Sequence, residues 1–176
     1  MFGSWLKRAP EVATASQADP LHQAVRSELT GADDETIVVV TAMAGLLGAV
    51  AYGDHSYSSE EEARIRAELG RVRGMTAAGV DTICAVLRRH IVELSTVQAP
   101  RYTRVLVELA DRELRLQVLE LLVDLAAADG SVSLSETNLL RQLATSLGLD
   151  QSDYNQLQVK HRERLAVLRS PSGGSA

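Results

Sequence analysis

Two stretches decide the fold: Leu46 to Arg66, LLGAVAYGDHSYSSEEEARIR, and Leu121 to Arg141, LLVDLAAADGSVSLSETNLLR. They align without a gap. Leu46, Leu47, Ala51, Asp54, Ser56, Ser58, Glu61 and Arg66 meet identical residues at a constant offset of 75 positions. Each stretch is an apolar run, a short polar loop and a second run at helical spacing, which predicts a helix–loop–helix unit present twice. A period this long is not that of a solenoid. It predicts two units packed about a pseudo-two-fold axis.

Working outward, the four prolines (Pro10, Pro20, Pro100 and Pro171) punctuate the chain at edges. The pattern predicts a short helix over Leu21–Leu29. A long apolar one follows, opened by Asp33, Asp34 and Glu35 and ending near Gly53, its first-turn acids complementing the helix dipole. Further helices are expected over Ser59–Val72 and after Thr76, where Val80, Ile83, Cys84, Leu87, Ile91 and Leu94 share one face. Pro100 should start a separate short helix to Leu109. Asp111 should cap one over Arg112–Ala128, and another should run from Leu134 to a stop at Gly148. A last helix opens at Asp150. No period-2 run suggests a strand. The predicted fold class is all-α, a duplicated helix–loop–helix bundle of about seven to eight helices. Residues 1–20 are expected as a flexible N-terminal segment, 21–168 as one domain, and 169–176 as a disordered tail.

Composition narrows the function. Of 176 residues, 45% are hydrophobic and only 3% aromatic, with a net charge of −5. A mildly acidic, aromatic-poor chain is a poor nucleic-acid binder, because basic charge on phosphates dominates that affinity. The single cysteine, Cys84, excludes an internal disulfide and a Cys-based zinc site. MFGSWLKRAP at the start lacks an apolar core behind its basic pair, so it does not read as a secretory signal. The uncharged stretch Thr36 to Gly53 is long enough to span a membrane. Its repeat copy carries Glu120 and Asp124, so burial in a bundle is the better expectation. No P-loop, G-x-S-x-G or H-E-x-x-H occurs, and no spacing pairs a nucleophile with a base.

Two acidic features remain as candidate sites. Each repeat loop reads D-x3-S-x2-E: Asp54, Ser58, Glu61, then Asp129, Ser133, Glu136. Ser58 with Glu61 and Ser133 with Glu136 have the form of capping boxes. Gly130 suits a left-handed turn, and His55 stands in its place in the first copy at some cost in strain. The same carboxylates, Asp54, Glu61, Asp129 and Glu136, are oxygen ligands suited to Ca2+ or Mg2+, although the loop is not an EF-hand. The second feature is a stripe of Glu113, Glu120 and Asp124 on one helix face. It is either a solvated face or a docking surface for a basic partner.

The pairing of AAADGSVSLSETNLLRQLATSLGL with AVAYGDHSYSSEEEARI resembles the TerB tellurite-resistance family and TerB-like domains, over about Thr36 to Gln158. Its most specific part is the Asp-Gly…Glu step before a helix ending Ser146 to Leu149. The resemblance implies a duplicated all-helical fold, a cytoplasmic stress-response role, and no catalytic activity. It also implies association with divalent metal ions and with a membrane-bound partner of the TerC type. Its acidic motif positions fall on Asp129 and Glu136 and, through the repeat, on Asp54 and Glu61. Glycine would be expected where this chain has His55.

Overall fold

The computed structural model describes residues 19–127 and 132–169. The candidate ligand Asp129 and the proposed turn glycine Gly130 lie outside the described residues, as do residues 1–18 and the tail from residue 170. Among the described residues there are eight α-helices and no strand. They are α1 (Pro20–Glu28), α2 (Asp34–Ala51), α3 (Ser59–Leu69), α4 (Ala77–Glu93), α5 (Ala99–Leu109), α6 (Arg112–Ala126), α7 (Leu134–Ser146) and α8 (Gln151–Arg169).

Most starts are written in capping chemistry. Asp33, Ser58, Thr76, Asp111 and Ser133 each sit in extended backbone and accept an amide hydrogen from the residue three positions on. Asp19 caps α1, with Oδ1 accepting from the Leu21 amide at 2.9 Å. Its Oδ2 accepts from the Tyr102 hydroxyl at 2.7 Å. Asp19 is thus a buried part of the fold and Pro20 opens α1, whereas residues 1–18 of the segment expected to be flexible lie outside the described residues. Two hydrogen bonds to a buried carboxylate hold the chain there.

α2 is the axis of the bundle and packs against α1, α3, α4, α5, α6 and α7. It has the length and apolarity of a membrane span, yet most of its residues are buried among these neighbours. Close approach is what its glycines permit. A Cβ on Gly45 would lie 2.1 Å from Cε2 of Tyr102, and one on Gly48 would lie 3.1 Å from Leu87 Cδ2. The aromatic ring of α5 therefore lies directly on the α2 backbone, with its hydroxyl carried on to Asp19.

One boundary departs from the sequence reading. Pro100 does not begin an independent helix: α4 runs through a π turn, Leu94–Gln98, straight into α5, with helical dihedral angles at both junctions. A proline inside an α-helix lacks a donor, and its ring clashes with the carbonyl four residues back. Widening the turn just before Pro100 relieves that clash, so the helical path continues from Ala77 to Leu109. α8 closes the molecule by packing on α6 and α7, with Tyr154 fully buried.

Candidate functional site

The candidate site is the end of the bundle where α2 turns into α3 and α6 into α7. In the first loop, Asp54 Oδ1 accepts from the Ser56 amide at 2.8 Å and from the Ser56 hydroxyl at 2.7 Å. These two bonds, hydroxyl first, hold the Asp54 carboxyl below the usual aspartate range. His55 follows with φ 67°, the one positive φ at a non-glycine among the described residues. Its ring meets Tyr52 edge-on, with centroids 5.8 Å apart. The loop then closes in a capping box. Glu61 Oε2 accepts from the Ser58 amide and hydroxyl, both at 2.8 Å, while the Glu61 amide donates to Ser58 Oγ at 3.2 Å.

The second unit repeats the box. Glu136 Oε2 accepts from the Ser133 amide at 2.7 Å, and the Glu136 amide donates to Ser133 Oγ at 3.1 Å. The two units also meet directly. The Ser135 hydroxyl donates to the Gly53 carbonyl at 3.2 Å. A Cβ on Gly53 would lie 3.5 Å from Cγ of Glu136 and 3.4 Å from Leu139 Cδ2. The residue preceding Asp54 is thus seated on the first turn of α7. α3 and α7 are each opened by their own cap, and the bundle then brings the first loop against the start of α7.

A family model described as Tellurite resistance protein TerB matches residues 40–159. The chain belongs to the TerB family. No curated protein and no solved structure matches it significantly. The matched span of this TerB chain runs from the body of α2 into α8, so it contains both loops.

The loop carboxylates have the hardness that Ca2+ or Mg2+ prefers. One oxygen each of Asp54, Glu61 and Glu136 is already committed to local donors. Among the described residues no three His, Cys, Asp or Glu side chains are grouped as a metal shell. An ion at this end would therefore draw on the remaining carboxylate oxygens, water, or residues outside those described, Asp129 first among them.

The acidic stripe has a different environment. Glu113 is exposed, but Glu120 Oε1 pairs with Lys160 Nζ at 2.7 Å and Asp124 Oδ1 with His161 Nδ1 at 2.8 Å. Both basic residues belong to α8. Arg112, at the start of α6, pairs with the buried Asp153 of α8 at 2.6 Å. The basic counterpart sought from the sequence for Glu120 and Asp124 is thus contributed by the chain itself.

One charged network escaped the sequence reading. Glu62, 6% exposed, accepts from Arg66 Nε at 3.1 Å and from the Arg88 guanidinium, and Arg66 also engages Asp81. This ties α3 to α4 beside Tyr57 and Cys84. Burial pushes the Cys84 thiol up to about 11 and raises the Tyr57 hydroxyl further, so Cys84 is a packed thiol and not a reactive one. The triplet Arg88, Arg89 and His90 reads from sequence as a simple basic step. The only available signal was Glu62 standing next to Glu61, with one acid per role.

Proposed function

We propose that this TerB-family chain is a non-enzymatic stress-response protein of the tellurite-resistance type that binds a divalent cation, Ca2+ or Mg2+, through its loop carboxylates. Asp129 and Glu136 are the first ligands and Asp54 and Glu61 the second set, in two copies of one internal repeat. The protein acts in the cytoplasm, at the inner face of the membrane, with a membrane-bound partner of the TerC type. The observation that carries the reading is the contact of the Ser135 hydroxyl with the Gly53 carbonyl. It joins one acidic loop to the helix start of the other, which supports reading the two carboxylate sets as neighbours at one end of the bundle.

The experiment is thermal unfolding of metal-stripped protein with and without Ca2+ or Mg2+. Binding to the folded state alone raises stability by about 2.7 kcal/mol at a hundredfold excess over Kd. Wild type should melt higher with the ion, and Asp129→Asn with Glu136→Gln should lose that gain. A melting temperature indifferent to both ions removes the metal from the function and leaves the loops as caps.

A further inference from the structure

The outward face of the α4–α5 path carries a self-complementary pattern. Arg89, Glu93, Val97, Pro100, Arg104 and Glu108 are exposed in succession, three or four residues apart. Val92, Val97 and Val107 are 57%, 62% and 42% exposed, half of the six large apolar side chains that stand exposed among the described residues. Arg89, Arg104 and Glu108 make no ion pair with any described residue, and Glu93 only approaches His90 Nδ1 at 4.0 Å. Within the helix each Arg precedes its Glu by four positions, the weaker order for an intrahelical pair.

Reversing the stripe about the midpoint between Gln98 and Ala99 lays Arg89 on Glu108, Glu93 on Arg104 and Val97 on Pro100. Side-by-side parallel copies would instead oppose like charges. A two-fold axis demands this reciprocity, in which residue i meets j and j meets i. The Ala77–Leu109 path holds four Arg against Asp81, Glu93 and Glu108. Its net charge of +1 sets it apart from a chain of net −5, so two copies meeting here do not oppose the chain's excess of acid. We propose that this face is a two-fold dimer interface with a second copy of this chain, with α4 and α5 antiparallel across the axis. Val97 and the π turn lie at the centre and two Arg–Glu pairs on each side.

Sedimentation equilibrium of the full chain, from micromolar to millimolar concentration, tests it. Wild type should show a reversible monomer–dimer equilibrium. Val97→Asp should leave only monomer, with an unchanged melting curve because the site is exposed. R89E and E108R should each weaken dimerisation about tenfold, since each reversal opposes like charges twice across the axis. The double variant R89E/E108R should return to within about threefold of wild type. A chain that is monomeric throughout overturns the proposal and leaves the face to a different partner. So does a dimer indifferent to Val97→Asp, or a double variant no better than the singles.

Discussion

His55 is where the two loops differ in the residue that the turn needs. At φ 67° the Cβ of an L-residue crowds the following carbonyl oxygen, at a cost of roughly 1–2 kcal/mol that glycine avoids. The position was legible in the sequence because Gly130 stands 75 residues on, and the structure bears out the strain on the His55 side. The edge contact with Tyr52 offsets part of that cost. His55→Gly should therefore stabilise the protein by about 0.5 kcal/mol, strain relief exceeding the lost contact and the added freedom of the unfolded chain. His55→Ala should destabilise it by about 1 kcal/mol, because it keeps the backbone and loses the ring. Urea unfolding of the two variants against wild type measures both signs. Equal losses would mean that the ring contact and not the dihedral angle dominates.

Among the elements, starts were more legible than joins. A cap is a local event, so Asp33, Ser58, Thr76, Asp111 and Ser133 could be read from short-range pattern, and each is found accepting its amide. The join at Pro100 could not, because a proline signals a helix start and a π turn that absorbs it equally well. The Glu62–Arg88 link was also out of reach: 26 residues separate its ends, and only the packing of α3 on α4 unites them. The capping boxes offer an element-scale prediction. Ser58→Ala and Ser133→Ala should each cost about 1 kcal/mol in chemical denaturation. Ser58→Ala also removes the hydroxyl that donates to Glu61 Oε2, so it should cost the more. Negligible losses would show that the bundle, not the cap, holds these turns.

For the whole molecule, α8 sets what the acidic face of α6 can do. The sequence displayed Glu113, Glu120 and Asp124 as a stripe, but nothing local in the chain reveals that a helix some forty residues later lies across it. α8 is anchored near its start by Tyr154 in the core and by Asp153, which meets Arg112. Farther along it is held by Lys160 on Glu120 and His161 on Asp124. The His161 Nε2 is buried without a partner in the described fold, so this second contact is only half satisfied. Reversing the charges with Glu120→Lys and Asp124→Lys should therefore act on stability before it acts on any partner. Lys160 would face a like charge, and His161 would lose its acceptor in a site of low exposure. The expected loss is about 1–3 kcal/mol in global unfolding, with faster amide exchange across α8 than elsewhere. A docking stripe open to solvent would instead leave stability within about 0.5 kcal/mol of wild type. The two accounts of the same three carboxylates thus part on one denaturation curve. If α8 loosens, any partner that reads this face must first compete with the chain's own helix.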